Sequence, residues 1–137
     1  MSLGAIAGVA RVARAASETL APAERARSVL AELRALIPFD HAEIAFDDPF
    51  SGGRRLLAND GYPDDLVEHL NGQQFDEEIR DLNLHETGVP VRMRDVPGDR
   101  LAVRSIAEVL KPAGYAEGMT MVLRTGDGRP TGVLNMS

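Results

Sequence analysis

The stretch LKPAGYAEGMTMVLRTGDGRPTGVLNMS, residues 110–137, decides the fold. Within it, the turn TGDGRP at 125–130 separates two apolar runs, MTMVLR at 119–124 and TGVLNM at 131–136. Glycine and proline between two apolar runs are typical of a hairpin turn, so this stretch predicts two antiparallel strands. Because both runs are apolar on both faces, we expect a central strand pair that is covered on each side.

Two helices are predicted before any strand. In PAERARSVLAELRALIPF, residues 22–39, apolar side chains recur on one helical face: Ala26, Val29, Leu30, Leu33, Leu36 and Ile37. Pro22 suits the first turn of this helix, and Pro38 ends it. A weaker pattern predicts a preceding helix with a narrow apolar stripe, made of Leu3, Ile6, Val9, Ala10 and Ala13. Such a stripe favours packing against a partner helix.

The middle of the chain alternates between strand and helix patterns. HAEIAFDD at 41–48 and RRLLAN at 54–59 predict a hairpin, and residues 64–82 predict two short helices interrupted at Gly72. VPVRMRDVP at 89–97 predicts a short edge strand. Residues 99–115 predict a helix that Asp99 caps, with Leu101, Ile106, Val109 and Leu110 inside. This order predicts an α+β domain with one antiparallel sheet.

Composition narrows the class of protein. At 137 residues and 44% hydrophobic, the chain suits one globular domain. It has no cysteine, which excludes disulfides, thiolate zinc sites and a cysteine nucleophile. No run approaches about 18 apolar residues, so we expect no membrane span. Fourteen Arg against one Lys, with eighteen Ala, is typical of GC-rich bacterial genes and predicts a cytoplasmic protein.

Charge is unevenly distributed along the chain. The net charge is -6, and residues 40–81 carry three Arg against twelve acidic residues. A surface that grips nucleic acid needs clustered Lys and Arg, whereas this acidic middle repels phosphate. We therefore expect residues 1–137 to make no contact with DNA themselves.

Three segments carry a resemblance to a known family. LRALIPFDHAEIAFDDP at 33–49, GYP at 61–63 and EVLKPAGYAEGMTMVL at 108–123 resemble the GAF-like sensory domain of actinobacterial LuxR-type transcription regulators. The likeness covers about residues 22–137. It implies an α+β, GAF-like domain with a central antiparallel sheet and helices on both faces, whose core is residues 22–137. The narrow apolar stripe of the first helix separately predicts that residues 1–20 form a dimerisation helix.

The resemblance also implies what is missing from this chain. GAF domains close with a further helix, and the sequence stops within the last apolar run. We therefore expect the polypeptide to continue past Ser137 into that helix and then into a helix-turn-helix DNA-binding domain.

Motifs for catalysis or metal binding are weak. His41, His69 and His85 lack zinc-ligand spacing, and the sequence has neither a G-x-S-x-G motif nor a phosphate-binding glycine loop. We interpret the adjacent acids at 47–48, 64–65 and 76–78 as turn and helix-cap residues. NGQQFDEE at 71–78 departs from the N-K-F-D-E pattern of cyclic-nucleotide-binding GAF domains, because its lysine is absent. We expect no catalytic residue, no metal and no enzyme activity, and the sequence identifies no cofactor.

A ligand pocket is the remaining prediction. GAF sheets carry ligands on one face beneath irregular helices and loops, here about residues 60–100. Asn135 is an amide in an apolar strand and needs a hydrogen-bond partner in the protein or in a ligand. The candidate pocket residues are Tyr62, His85, Arg92, Tyr115, Met119, Met121 and Asn135.

Two functions follow from the resemblance, taken together with the amide of Asn135 and the apolar stripe of the first helix. The first is sensing of an unidentified small molecule by a homodimer joined through its N-terminal helices, which controls DNA binding by a domain outside this chain. The alternative is a ligandless GAF-like dimerisation module of a regulatory protein.

Overall fold

A five-stranded antiparallel sheet forms the centre of the molecule in a computed structural model, which describes residues 2–137. The strands are β1 (Ala42–Asp47), β2 (Arg54–Asp60), β3 (Val91–Arg92), β4 (Met119–Arg124) and β5 (Pro130–Met136). Their order across the sheet is β2-β1-β5-β4-β3, with antiparallel pairing throughout. The predicted α+β class, the two hairpins and the edge strand are confirmed.

Helices cover both faces of this sheet. The helices of the domain are α1 (Leu3–Ser17), α2 (Pro22–Leu36), α3 (Asp64–Leu70), α4 (Gln73–Asp81), α5 (Leu84–Thr87) and α6 (Ala102–Ser105), and α6 continues into a π-helical turn, Ile106–Leu110. Gly72 separates α3 from α4 as predicted. A β-carbon at that position would press on the backbone oxygen of Glu68, which favours glycine at the break.

The two central strands are buried on both faces. Ala42–Ala45 of β1 and Gly132–Met136 of β5 are all buried. At Gly132 the strands approach so closely that a β-carbon would collide with the backbone oxygen of Ala45. β4 departs from the predicted full coverage, because α2 packs over β1 and β2 and leaves Met121 and Leu123 of β4 half-buried.

On one face α2 seals a purely apolar core, which we call the α2-side cluster. Its buried members are Ala26, Leu30, Ala42, Ile44, Ala58, Leu134 and Met136. α1 packs along α2, where Gly8 lies against the side chain of Leu36. The apolar stripe of α1 is left largely exposed, with Leu3, Ile6 and Val9 at 87%, 51% and 47% exposure.

On the other face α3, α4, α5 and the helical segment 102–110 pack over the sheet. Their core, the pocket-side cluster, has these buried members: Ala45, Tyr62, Leu66, Leu70, Phe75, Ile79, Leu84, Leu110, Val122 and Val133. Unlike the α2 side, this face also buries charged and amide side chains among the apolar ones.

The predicted helix start at Asp99 is wrong. α6 begins at Ala102, and the backbone N–H of Leu101 donates instead to the carboxylate of Asp81 at the end of α4. Leu101, predicted to lie on the buried face of this helix, is 56% exposed because it lies in the turn that precedes the helix. A contact between distant segments, which no local pattern reveals, therefore sets this boundary.

Candidate ligand pocket

A cavity of about 40 Å³ lies between the sheet and the helices on the pocket side. Its walls come from α4, α5, β3, β4 and the helical segment 102–110. Most of the lining is apolar, and the polar side chains among it are Glu78, Ser105 and Thr120. Space of this size holds only a few water molecules, so a larger ligand would have to displace side chains.

Glu78 and Ser105 form a buried hydrogen-bonded chain with His69. The Ser105 hydroxyl donates to Glu78 Oε2, and His69 Nε2 lies 2.8 Å from the same hydroxyl. Because the serine proton is engaged by the carboxylate, His69 must donate to Ser105 through Nε2–H. Glu78 and Ser105 are 3% and 0% exposed, so both polar groups depend on partners inside the protein.

The hydrogen-bonded chain of His69, Ser105 and Glu78 does not have the geometry of a hydrolase triad. In such a triad the carboxylate binds the far nitrogen of the histidine and the serine stays free to attack. Here the carboxylate binds the serine itself, and Ser105 is fully buried. This arrangement holds the Glu78 carboxylate in place and does not leave the serine free for covalent catalysis.

A second, smaller cavity of about 20 Å³ adjoins the first. The two share six lining residues, Phe75, Met93, Leu110, Gly118, Met119 and Thr120. Polar groups of Tyr62, Asn135 and Ser137 lie in the lining of the second cavity, and the Tyr62 hydroxyl is 2.6 Å from Ser137 Oγ. Together the two cavities form one crevice along β4.

Beside this crevice a polar ladder crosses three neighbouring strands, made of Glu43, Asn135 and Thr120. The register pairs Glu43 with Asn135 and Asn135 with Thr120. Asn135 Nδ2 donates to Glu43 Oε1 at 3.0 Å, and Thr120 Oγ1 donates to Asn135 Oδ1 at 2.7 Å. Asn71, which directly follows α3, also donates to both carboxylate oxygens of Glu43. The buried amide of Asn135 thus finds its partners within the protein.

Burial raises the pKa of Glu43, while the hydrogen bonds from Asn71 and Asn135 oppose that rise. Burial also raises the pKa of the Tyr62 phenol. Desolvation disfavours the charged form of each group, so the largest effect on both comes from the dry interior of the domain.

The structure brings three of the seven predicted pocket residues to the crevice. Tyr62 and Asn135 line the second cavity, and Met119 borders both. The side chain of Met119 packs with the α2-side cluster, and Met121 shares that face by strand alternation. Ligand binding by these residues stays a prediction.

The other predicted residues line neither cavity. Arg92 pairs with Asp95 at 2.7 Å on the surface, and Tyr115 packs edge-on against His41. His85 lies in α5, where burial lowers the pKa of its imidazole. Residue type and segment predict that these side chains are polar, but they do not predict which way a side chain points.

Sequence reasoning missed Glu78 and Ser105. As one of the acids at 76–78, Glu78 is predicted to be a helix-cap residue, yet Phe75, Glu78 and Ile79 fall on one helical face at i, i+3 and i+4. An acid on an apolar helical face was the signal that could have found it. Ser105 carries a weaker signal of the same kind, because Ala102, Ser105 and Ile106 also fall at i, i+3 and i+4.

The structure of residues 2–137 bears on two other properties, metal binding and membrane insertion. Over that range no three His, Asp or Glu side chains come close enough together to hold a metal ion. Among the helices of residues 2–137, none combines the length and hydropathy needed to cross a bilayer.

Several solved structures share this architecture. The chain is similar to the GAF domain of a phosphoenolpyruvate-protein phosphotransferase (ptsP) from Coxiella burnetii, at 14% identity and a TM-score of 0.65, over 96% of this chain and 76% of that one. It is similar to the A. aeolicus nlh2 GAF domain in an inactive state, at 15% identity and a TM-score of 0.63, over 98% and 78% of the two chains.

A third match is the VqsR LBD domain from Pseudomonas aeruginosa, at 13% identity and a TM-score of 0.59, over 99% of this chain and 80% of that one. No family model and no curated protein sequence matches the chain. Identities this low establish the fold alone. From its sheet order, its covering helices and these likenesses, the chain has the fold of GAF domains.

Proposed function

We propose that this chain is the small-molecule-sensing GAF domain of a LuxR-type transcription regulator, and that it controls a DNA-binding domain beyond Ser137. One observation carries the sensing role: a crevice on one face of the sheet that keeps charged and hydrogen-bonding side chains inside an apolar lining. Ligand sites combine such a lining with a few fixed polar groups. The resemblance of residues 22–137 to LuxR-type regulators supports the choice of regulator.

We assign no chemical step to the domain. Ser105 is held by Glu78 and shielded from solvent, and the ladder of Glu43, Asn135 and Thr120 is satisfied by its own hydrogen bonds. These groups suit selection of a ligand by its shape and polarity. Binding would then act through side chains displaced beneath α4 and the π-helical turn.

The sensing role is tested by filling the cavity. Ala102 is buried and lines it, so Ala102→Leu should occupy the space that a ligand needs. A broad small-molecule screen by thermal shift, followed by crystallography, should find compounds that bind the wild type in the crevice. We expect these compounds to lose at least tenfold in affinity for Ala102→Leu.

The matched control is Ala107→Leu, which adds the same volume at an exposed position of the same helical segment. It should bind like the wild type. A screen whose compounds bind elsewhere, or bind Ala102→Leu unchanged, would refute sensing at this crevice.

DNA control is tested separately, with two lengths of the protein. Residues 40–81 carry three Arg against twelve acidic residues, so residues 1–137 alone should show no salt-sensitive affinity for DNA. The protein extended to the end of its gene should bind promoter DNA, with an affinity that falls steeply as salt rises. Equal affinity from both lengths, or a gene that stops after Ser137, would contradict the regulator proposal.

A ligandless dimerisation module is the second candidate, favoured by the small volume of the cavity and by the exposed apolar stripe of α1. It predicts that the broad screen finds no compound in the crevice while the protein is dimeric. Under the sensing proposal, compounds enter the crevice whether or not the protein dimerises.

A further inference from the structure

The polar side chains that line the cavity offer hydrogen-bond acceptors to a ligand but no donors. The Ser105 hydroxyl already donates to Glu78, and the Thr120 hydroxyl already donates to Asn135. A hydroxyl has one proton, so neither group has a donor left to offer a ligand. The polar side chains that line the cavity can therefore only accept hydrogen bonds.

Glu78 has the largest unused accepting capacity. An ionised carboxylate offers about four lone-pair sites. Glu78 receives Ser105 at one oxygen and, at the long distance of 3.4 Å, the Gln74 amide at the other. At least one good acceptor direction remains open at a group that lines the cavity.

Glu78 also lacks a positive partner. None of the ion pairs formed by residues 2–137 includes it, although the residue is only 3% exposed. A buried carboxylate without a cation is costly unless further groups compensate it. A cation that entered the cavity would supply that compensation, and the net charge of -6 attracts cations to the domain.

The rest of the lining defines the body of the ligand. Phe75, Ile79 and Leu110 present apolar surface to the cavity. Apolar walls around one acidic group favour a molecule with an apolar body and one positively charged N–H donor.

From these observations we infer that the crevice binds a compact apolar amine, whose protonated nitrogen donates to Glu78. This inference rests on the proposed sensing function and specifies the ligand class of that site. It excludes organic acids, whose carboxylate would face Glu78 without a donor between them.

Three probes of nearly the same shape test the ligand class: 3-methylbutylamine, 3-methylbutanol and 3-methylbutanoate. In calorimetric titrations near pH 7, we expect the amine to bind at least tenfold more tightly than the alcohol and the acid not to bind. A crystal structure with the amine should place its nitrogen within hydrogen-bond distance of Glu78.

Glu78→Gln should reduce the affinity for the amine to that for the alcohol, because it removes the charge and keeps the shape. Glu78→Asp keeps the charge on a shorter side chain and should retain a weaker preference for the amine, which shows that the site still folds. The matched control is Glu77→Gln, one position away on the exposed side of α4, and it should leave all three affinities unchanged.

The outcomes separate this inference from the sensing proposal. If the alcohol or the acid binds in the crevice as tightly as the amine, the ligand class is overturned and sensing stands. An amine preference that survives in Glu78→Gln also overturns the role of Glu78. If none of the three probes binds, the inference is overturned, and the broad screen with Ala102→Leu decides on sensing.

Discussion

The two faces of the sheet solve the same packing problem with different chemistry. On the α2 side one amphipathic helix covers an entirely apolar cluster. On the pocket side several short helices cover an apolar cluster, two carboxylates, Glu43 and Glu78, are buried beside it, and two cavities remain. Burial of apolar area stabilises both faces, whereas buried charge lowers stability unless it is compensated. Both faces therefore stabilise the fold through apolar burial, and the pocket face additionally holds buried carboxylates by hydrogen bonds.

The largest expected effect comes from truncating one leucine on each face. Leu30 lies in the α2-side cluster and Leu110 lines both cavities. Leu30→Ala and Leu110→Ala should each lower the free energy of unfolding by about 2–5 kcal/mol, measured by urea denaturation. The two faces should differ in their response to a ligand, cyclohexylmethylamine, which is bulkier than 3-methylbutylamine. It should raise the melting temperature of Leu110→Ala, because it binds the enlarged cavity, and leave the melting temperature of Leu30→Ala unchanged. Equal stabilisation of both variants would erase the distinction between the faces.

The next effect concerns the polar ladder. Asn135→Ala removes one amide donor from Glu43 and leaves the Thr120 hydroxyl without its acceptor. We expect a loss of about 1–3 kcal/mol in unfolding free energy, because buried polar groups are left unsatisfied. Adding Glu43→Gln to this variant should recover part of the loss, because it removes the buried carboxylate that lost the Asn135 donor. Strict additivity of the two changes would show that the two groups are not coupled.

A pH series sharpens the same comparison. Burial raises the pKa of Glu43 above its usual value of 4.5, so the folded state holds this proton more tightly than the unfolded chain. Stability contributed by the group is therefore greatest below about 4.5 and falls as pH rises towards the folded-state pKa. Denaturation at a series of pH values should show the wild type losing stability relative to Glu43→Gln across that window. A difference that does not change with pH would contradict the raised pKa.

The smallest effect on stability is expected outside both faces, on the stripe of α1. Ile6 and Val9 are about half exposed, so Ile6→Ser with Val9→Ser should change the unfolding free energy of the monomer by only about 0.5 kcal/mol. Association should respond more strongly: we predict a homodimer through the N-terminal helices, which these changes convert to monomer in light scattering. Arg14→Ala, at an exposed polar position of α1, is the control and should stay dimeric. A wild-type monomer at micromolar concentration, unchanged by deletion of residues 1–18, would disprove the interface.

Much of the fold could be read from local patterns. The helix expected from Pro22 runs from Pro22 to Leu36, and the hairpin expected around 125–130 joins β4 to β5. The prediction that Asp99 caps the next helix is wrong, because Asp81, distant in sequence, accepts the Leu101 N–H instead. Three of the seven proposed pocket residues reach the crevice, since a choice by residue type and segment ignores the direction of each side chain.

The sequence by itself determined the periodic features of this protein. The apolar periods of 22–37 and 119–136 specify which residues form a helix and which form strands, because those periods are properties of neighbouring residues. Only the tertiary structure decided how the two hairpins and the edge strand joined into one sheet, through the β1–β5 and β3–β4 pairings, and with them the site. Glu43, Asn135 and Thr120 meet because β5 lies between β1 and β4, and Glu78 meets Ser105 because α4 packs beside the helical segment 102–110. These contacts join residues far apart in the chain, and their cost and benefit depend on burial that exists only once the layers have packed.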